Sequence, residues 1–261
     1  MFQTSVLASG SKGNAILVRT EEASVLLDAG IAVKKIFLAL EQLGLDRRDI
    51  SAVLVSHEHS DHVRGVGAIA RMLRIPVYMN DETHRNCAHR IGRMPRSVCP
   101  FETGTTFAIR DLVIHPFASS HDAAESCNFT FMKMEENERK LGVATDLGFP
   151  TALALNKLKN CTTLILESNH DVRMLMDGPY EWFLKQRIKS LNGHLSNEQA
   201  VGVVSQVMHH GLQNLILAHL SEINNHPDLA LNTMREYLDT IRSDIKLLVA
   251  GQYQHTPLFD I

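Results

Sequence analysis

Cysteine is scarce in this chain, and its few residues lie far apart. The four cysteines among 261 residues include no C-x-x-C pair, so neither a disulfide framework nor a thiolate zinc site is expected. No apolar run approaches the ~18 residues that span a bilayer, and the N-terminus lacks the basic and apolar segments of a signal peptide. We therefore expect a cytoplasmic protein with reduced thiols and no membrane contact.

Linkers, low-complexity tracts and repeats are also lacking. With 44% hydrophobic and 21% charged residues, the composition is that of a globular protein with a sizeable core. A chain of this length suits one large domain or two small ones. Because no linker divides the sequence, we predict a single domain over residues 1–261.

Positive charge is in excess in one segment of the chain, although the chain as a whole is slightly negative. The formal net charge of -3 does not indicate a polyanionic partner. The segment from Arg64 to Arg96, however, holds seven arginines and no lysine, opposed only by Asp81 and Glu82. Such a basic strip beside a catalytic site could hold phosphates, and it could equally be the solvated face of a helix.

Hydrophobic periodicity divides the chain into strands and helices. Apolar and alternating runs predict strands at Phe2–Ala8, Ala15–Arg19, Ser24–Asp28, Ser51–Val55, Pro76–Met79, Thr105–Ile109, Leu112–Phe117, Cys127–Met134, Lys140–Thr145, Thr162–Glu167, Leu215–Leu220 and Lys246–Ala250. Helical spacing predicts helices at Val33–Leu43, Val63–Leu73, Thr151–Leu158, Tyr180–Ser190, Asn197–His210 and Asp228–Ile241. The predicted elements form two successive groups, each with strands followed by helices. This order predicts an α/β fold in which two sheets pack face to face with helices outside.

The most informative segment follows the strand predicted at Ser51–Val55 and reads Ser56-His57-Glu58-His59-Ser60-Asp61-His62. In an extended chain, residues two apart project to the same side, so His57 and His59 can bind one ion together. Where the chain turns into a helix, Asp61 and His62 can face a second ion. Imidazole and carboxylate groups suit zinc, manganese or iron, and paired ions form a recognised hydrolytic site.

This H-x-H-x-D-H segment resembles the signature of the metallo-β-lactamase superfamily. Further motifs follow in that superfamily's order, at Leu27-Asp28-Ala29-Gly30, Ser119-Ser120-His121-Asp122-Ala123, Ala144-Thr145-Asp146-Leu147-Gly148 and Ala218-His219-Leu220-Ser221. A narrower resemblance, to the bacterial YycJ (WalJ) family, rests on Leu7-Ala8-Ser9-Gly10-Ser11-Lys12-Gly13-Asn14, Leu166-Glu167-Ser168-Asn169-His170-Asp171 and Gly193-His194-Leu195-Ser196-Asn197. The resemblance covers nearly the whole chain and implies a four-layer αβ/βα sandwich of two mixed sheets with helices outside.

The resemblance also implies two divalent ions, zinc or manganese, with iron a further option. One ion would lie on His57, His59 and His121. The other would lie on Asp61, His62 and His219. Asp146 would bridge the two ions, and Asp28 would support the ligands from behind. His115 is the alternative to His121, but it falls within an apolar strand, where a packed histidine is expected.

The YycJ (WalJ) family is described as metal-dependent 5′-to-3′ exonucleases, so the resemblance implies a hydrolase that acts on DNA. Asp61 would orient the attacking water and accept its proton. Glu167 and His194 would form the general acid for the leaving sugar oxygen, like a similarly placed pair in ribonuclease Z relatives. The alternative is that Glu167 caps a helix and His194 is an ordinary loop residue.

Substrate contacts are expected from Ser9, Ser11, Asn14 and Asn169. The loop 9–14 has two glycines and small polar residues, so it could offer backbone N–H groups to a phosphate, although it lacks the order of a P-loop. It could equally be a tight turn. Ser196 and Gln199 predict a capping box at the start of the next helix.

Two other functions compete with the nuclease. A small-molecule hydrolase, such as a cyclic phosphodiesterase or a thioesterase, would use the same dinuclear site. A non-hydrolytic protein is the third option, but His59 argues against the di-iron redox relatives, which carry glutamate there. The filled ligand positions argue against a metal-dependent nucleic-acid binding module. DNA is the partner that the resemblance implies, and the small-molecule hydrolase stays open as the alternative.

Overall fold

Two seven-stranded sheets form the centre of the fold. The computed structural model describes residues 1–261, without the side chain of residue 137. The strands of the first sheet are β1 (Phe2–Ala8), β2 (Ala15–Thr20), β3 (Ser24–Leu27), β4 (Ala52–Leu54), β5 (Val77–Met79), β6 (Cys99–Pro100) and β14 (Phe259–Asp260). The strands of the second are β7 (Phe107–Ile109), β8 (Leu112–Ala118), β9 (Cys127–Lys133), β10 (Glu136–Ala144), β11 (Thr163–Glu167), β12 (Asn214–Ala218) and β13 (Lys246–Val249).

Each sheet is mixed. The first has the order β14-β1-β2-β3-β4-β5-β6 and is parallel from β3 to β6. The second has the order β13-β12-β11-β10-β9-β8-β7 and is parallel from β10 to β13. The remaining neighbours pair antiparallel.

Helices cover the outer faces of the sheets. They are α1 (Val33–Gln42), α2 (Ser60–Val63), α3 (Val66–Leu73), α4 (Asp81–Ile91), α5 (Ala152–Leu158), α6 (Val172–Asp177), α7 (Trp182–Lys189), α8 (Asn197–Val207) and α9 (Pro227–Thr240). Apolar residues of α1, α3 and α4 pack on the first sheet, and those of α5, α8 and α9 pack on the second. Within the described chain, every helix is too short or too polar to cross a bilayer.

The period-2 alternation of the strands creates three apolar layers. In β3, Val25 and Leu27 face the second sheet, while Leu26 faces α1. In β11, Ile165 lies between the sheets and Leu164 lies under the helices of the other side. Strands buried on both faces are apolar at nearly every position, which explains their continuous hydrophobic runs. The predicted sandwich of two sheets between helices is confirmed.

The structure interrupts one predicted helix and contains two helices that were not predicted. The helix predicted at Val63–Leu73 is interrupted at Arg64 and Gly65, because the N–H of Gly65 donates to the carbonyl oxygen of Ala29 at 2.7 Å. A Cβ at Gly65 would lie 2.8 Å from that oxygen, so this close approach requires glycine. The helix α4 was not predicted because its exposed face is strongly polar, although Asn80 caps it through the N–H of Thr83. The helix α6, capped by Asp171, was also missed.

The parallel strands end on one edge of the sandwich. The chain leaves β3 at Asp28, β4 just before His57, and β12 at His219. Glu167 is the last residue of β11, and Asp146 lies two residues beyond β10. The carboxyl ends of parallel strands are the usual place for an active site in an open α/β sheet. The motif residues are therefore gathered at this edge by the topology.

Replacing Phe131 by Ala tests the packing between the sheets. Phe131 is fully buried in β9, so its loss is expected to lower the free energy of unfolding by about 3–5 kcal/mol. Phe183→Ala is the matched control, because that side chain is 73% exposed and its loss should change stability by less than about 0.5 kcal/mol. Urea unfolding of both variants is the measurement. Equal losses would contradict the described core.

Candidate metal centre

The loop after β4 carries two of the candidate ligands, His57 and His59. His57 is buried and His59 is half-buried, and their ring centroids lie 4.6 Å apart. His121, on the loop after β8, has its Nε2 atom 3.3 Å from Nδ1 of His59. The three ligand atoms all lie within 4.8 Å of one another. The fold thus brings together the three imidazoles that were expected to share one ion.

Asp146 lies between these imidazoles and a second group. Its Oδ1 atom is 3.6 Å from Nε2 of His121, on the side of the first group. Its Oδ2 atom is 3.3 Å from Nε2 of His62 and 3.4 Å from Nδ1 of His219. Asp61 joins the second group, with its Oδ2 atom 3.4 Å from Nε2 of His62. One carboxylate oxygen therefore faces each group, which is the arrangement expected of a bridging ligand.

Buried atoms without a hydrogen-bond partner test whether a cation fits. Eleven buried side-chain atoms of the described residues make no hydrogen bond, and three of them, Nε2 of His57, Oδ2 of Asp146 and Nδ1 of His219, belong to candidate ligands. An unsatisfied buried polar atom costs about 1–3 kcal/mol, so such atoms are rare in native proteins. A divalent cation would satisfy these three atoms, and the donor set of imidazoles and carboxylates suits such an ion.

The protonation states of His57, His59, His219 and Asp146 agree with ligand roles. Burial lowers the pKa of His57 well below its ordinary value, and burial also lowers the pKa of His59 and of His219. Burial alone would raise the pKa of Asp146, but the imidazoles around it, His219 first, hold that pKa well below its ordinary value. Neutral imidazoles and an ionised carboxylate are the forms that bind a metal. For His62, burial alone would lower the pKa, but the carboxylates of Asp146, Asp28 and Asp61 raise it well above its ordinary value.

Asp28 holds His62 in place from behind the centre. Its Oδ2 atom is 2.7 Å from Nδ1 of His62, so Nδ1–H donates to Asp28 and Nε2 is left facing the cluster. The same carboxylate accepts the backbone N–H of Ser56 at 2.9 Å and its hydroxyl at 2.8 Å. A carboxylate that fixes the tautomer of an imidazole is a common partner of metal-binding histidines. Asp28 therefore lies behind a candidate ligand, in the position that the resemblance implied.

His115, the alternative to His121, lies elsewhere. Its Nδ1 atom is 2.8 Å from the hydroxyl of Thr106, across the β7–β8 pair. Burial, with a smaller effect of Lys157 and Lys140, lowers its pKa. His121 instead belongs to the first group, and its Nδ1 atom is 3.2 Å from the carbonyl oxygen of Gly193.

The fully buried Glu167 and the partly buried His194 form a pair next to the two groups. Oε1 of Glu167 is 2.6 Å from Nδ1 of His194, and Oε2 accepts the backbone N–H of Leu147 at 2.8 Å. Burial alone would lower the pKa of His194, but Glu167 raises it to about 9. The ring is therefore protonated at neutral pH. The bond to Glu167 favours an acid over a further ligand, although His194 also lies close enough to hold an ion with His121 and Asp146 or with Glu167 and His219.

The predicted substrate contacts divide into two kinds. Ser11 and Asn169 line the cleft above the centre. Ser9 and Asn14 are buried beneath it: Ser9 accepts the N–H of His219 at 2.7 Å, and the Asn14 amide lies 3.1 Å from Nε2 of His62. This geometry favours positioning of the candidate ligands over substrate contact for Ser9 and Asn14. The capping box of Ser196 and Gln199 is confirmed.

The sequence predicted a helix at Tyr180–Ser190, but it did not indicate that this helix, α7, lines the cleft above the centre. The cleft has a volume of about 230 Å³. It is lined by Ser11, His59, Asp61, His121, Asp122, Asp146, Asn169, Tyr180, Leu184, Arg187, Ile188, Gly193, His194, His219 and Ser221. Four of these residues come from α7 or directly precede it. Their spacing of three or four was the only signal in the sequence, and it equally describes a helix packed on the core.

The basic strip 64–96 has structural contacts of its own. Arg71 donates to the carbonyl oxygen of Ile91 at the end of α4, and Arg85 pairs with Glu82 on the same helix. Arg90 donates to the carbonyl oxygen of Glu58, beside the loop that carries His57 and His59. The described cleft lining includes none of the seven arginines. Contact with phosphates remains a prediction for this strip.

Comparison with known proteins agrees with this geometry. Residues 8–116 match the Metallo-beta-lactamase superfamily. The chain is 39% identical to exodeoxyribonuclease YycJ of Bacillus anthracis, over 90% of this chain and 88% of that protein. It is 35% identical to exodeoxyribonuclease WalJ of Streptococcus pneumoniae, over 100% of this chain and 98% of that protein. The metallo-beta-lactamase fold protein YhfI of Bacillus subtilis superposes with a TM-score of 0.73 at 17% identity, covering 98% of this chain and 99% of its own.

Replacing His59 by Ala tests the first group. Because His59 is half-buried at the cleft, its removal is expected to leave the fold intact and to lower metal content by about one ion per chain. Metal analysis after gel filtration, with thermal unfolding, is the measurement. His89→Ala is the matched control, since His89 is exposed on α4. Unchanged metal content in His59→Ala would remove this residue from the ligands.

Proposed function

Because this chain belongs to the YycJ/WalJ family of the metallo-β-lactamase superfamily, we propose that it is a 5′-to-3′ exonuclease that hydrolyses DNA phosphodiesters. The chain is a hydrolase of that superfamily. The names of its relatives, both exodeoxyribonucleases, support DNA as the substrate. The metal centre and the acid beside it support cleavage of a phosphodiester.

The observation that carries the proposal is the pair of Glu167 and His194. Cleavage of a phosphodiester expels a sugar alkoxide, which is a poor leaving group without a proton. A thioester expels a thiolate, which leaves unaided because a thiol has a pKa near ~8.5. A buried carboxylate that keeps His194 protonated beside His121 and His219 is therefore useful for a phosphodiester and superfluous for a thioester.

The candidate ligands would hold two divalent ions. We assign one ion to His57, His59 and His121, and the other to Asp61, His62 and His219. Asp146 would lie between them. Zinc and manganese suit these donors, and iron is the further option. Ions bound there would lower the pKa of water and offset the charge on the phosphoryl oxygens.

Two residues of the chain would move the protons. Burial alone would raise the pKa of Asp61, but His62 beside it lowers that pKa to about 2, so the carboxylate is ionised and can orient the attacking water. His194 would donate a proton to the leaving O3′ atom through Nε2, because Nδ1–H is held by Glu167. The strand would then lose its 5′-terminal nucleotide and keep a new 5′ phosphate.

A comparison of substrates tests the proposed function. Metal-loaded protein is expected to release 5′-mononucleotides from a DNA strand labelled at its 3′ end, shortening it from the 5′ end. Under the same conditions, a cyclic dinucleotide and an acyl thioester should be hydrolysed at least ~100-fold more slowly. Asp146→Asn serves as the inactive control. Faster hydrolysis of the cyclic diester or of the thioester, with DNA left intact, would favour the small-molecule alternative instead.

Replacing His194 by Ala separates acid catalysis from metal binding. The variant is expected to keep its metal and its affinity for DNA, and to lose about 10²–10⁴-fold in kcat on DNA. On bis(p-nitrophenyl) phosphate, whose nitrophenolate leaves without a proton, it should keep most of its activity. Steady-state kinetics on both substrates are the measurement. Equal losses on both would mean that His194 serves the metal centre or the fold.

The Glu167→Gln variant adds a pH dependence to this test. His194 must be protonated to act as the acid, so kcat on DNA should fall as the pH rises through about 9. Without the carboxylate, the pKa of His194 falls, and the alkaline fall in kcat should begin at lower pH. An alkaline limb that stays at the same pH would contradict the role of Glu167.

A further inference from the structure

We propose that α7 and the segment before it form the subsite for the 5′-terminal nucleotide, in which Arg187 binds the terminal 5′ phosphate. This inference rests on the proposed function and adds to it the residues that recognise the end of the strand. It concerns a part of the cleft that the metal centre does not occupy.

The position of the acid fixes where the terminal nucleotide lies. In 5′-to-3′ cleavage the leaving O3′ atom belongs to the terminal nucleotide, so that nucleotide has to lie on the side of His194. The backbone N–H of His194 donates to the carbonyl oxygen of Ile188, the next-to-last residue of α7, at 2.9 Å. The neighbour of the acid in the cleft wall is therefore α7. Once its O3′ atom is in place, the one phosphate left on the terminal nucleotide is its 5′ phosphate.

Arg187 carries the charge that a 5′ phosphate requires. Among the described residues that line the cleft, it is the one lysine or arginine. Its Nε atom donates to Oδ2 of Asp122, and the other oxygen of Asp122 is 3.5 Å from Nε2 of His121. The guanidinium is thus one carboxylate away from the first group of candidate ligands. Because Asp122 lies between them, we place the Arg187 guanidinium at the phosphate next to the scissile phosphate and not at the scissile phosphate itself.

The guanidinium is available for a ligand. Its side chain is 58% exposed, and within the described chain its two Nη atoms make no hydrogen bond. Exposed ion pairs such as Arg187–Asp122 contribute little to stability, so a phosphate can compete with Asp122. A guanidinium binds a phosphate through two parallel N–H bonds, which an ammonium group cannot reproduce.

The remaining cleft residues of this segment are suited to a nucleobase. Tyr180, Leu184 and Ile188 are spaced by four and line the cleft, each only partly buried. None of the described α7 residues is buried in the core. The helix is tied down by polar contacts instead, such as the bond from Lys185 to the carbonyl oxygen of Met176. Its apolar residues are therefore open to the cleft, where a base can pack on them without regard to sequence.

The test compares DNA strands that differ only at the 5′ end. Wild-type protein should degrade a 5′-phosphorylated thymidine decamer about 10- to 100-fold more efficiently than the 5′-hydroxyl decamer, by kcat/KM. Arg187→Gln should lower this ratio to nearly one, through a higher KM for the phosphorylated strand. Its loss of activity on bis(p-nitrophenyl) phosphate, which carries no terminal phosphate, should be much smaller than its loss on the phosphorylated decamer. Arg187→Lys should recover only part of the preference.

Binding provides a second measurement that does not depend on catalysis. In the His194→Ala background, which is expected to keep its metal and its affinity for DNA, fluorescence anisotropy of the labelled, phosphorylated decamer should show a log–log salt slope lower by about 0.7 in Arg187→Gln, and unchanged in Arg187→Lys. Arg173→Gln is the matched control: Arg173 lies on the neighbouring helix α6, is 91% exposed and pairs with Asp177. It should behave as the wild type in both assays.

The outcomes separate this inference from the proposed function. A wild-type protein that leaves both decamers intact would overturn the proposed function. If the wild type degrades DNA and Arg187→Gln keeps its preference for the phosphorylated end, only the subsite is wrong. Equal losses on the decamer and on bis(p-nitrophenyl) phosphate would also overturn the subsite, because Arg187 would then act on the scissile phosphate or on the position of α7.

Discussion

The main constraint on the structure around the centre is the free-energy cost of burying ligand atoms that have no hydrogen-bond partner. Nε2 of His57, Oδ2 of Asp146 and Nδ1 of His219 are in this state within the described chain. At about 1–3 kcal/mol each, they cost roughly 3–9 kcal/mol, a large part of the ~5–15 kcal/mol that holds a domain folded. A cation that satisfied them would restore that free energy. Metal binding and stability are therefore linked, and the fold has to hold the ligands together against this cost.

Backbone conformation adds to that cost. Asp28, Asp146 and His219 adopt left-handed backbone, with φ of 61°, 53° and 55°, each within two residues of a strand end. Such a conformation costs a residue other than glycine about 1–2 kcal/mol. Hydrogen bonds from the surroundings maintain it: the peptide of His219 is held by Ser9 at its N–H and by Asn169 at its carbonyl oxygen. The sharp turn lets a side chain leave the sheet and point back across its edge.

The first part of this centre could be predicted because His57 and His59 are close together in the sequence. His57 and His59 share one extended segment, so their spacing alone indicates a joint site. Asp146 and His219 come from distant strand ends, and only the order of the motifs identified them. Ser9 and Asn14 were expected to touch substrate, yet they lie under the ligands, because burial depends on how the loop 9–14 packs against Asp61. No local pattern contains that information. The same holds for the cleft-lining role of α7, whose apolar spacing also describes a core helix.

The two halves of the site come from different parts of the chain. The candidate ligands lie at or near the ends of strands in both sheets, whereas α7 and His194 belong to the one segment between β11 and α8, which begins directly after Glu167. A Cβ at Gly148 would lie 2.4 Å from the backbone nitrogen of Gly193, so this segment packs directly against the turn that carries Asp146. In the proposed reaction, the strand ends would provide the groups that activate water for attack on phosphorus, and the segment would provide the proton for the oxygen that leaves. Because the backbone of α7 is hydrogen-bonded to the backbone of His194, the surface that would receive the terminal nucleotide would also position the proposed acid for its leaving oxygen.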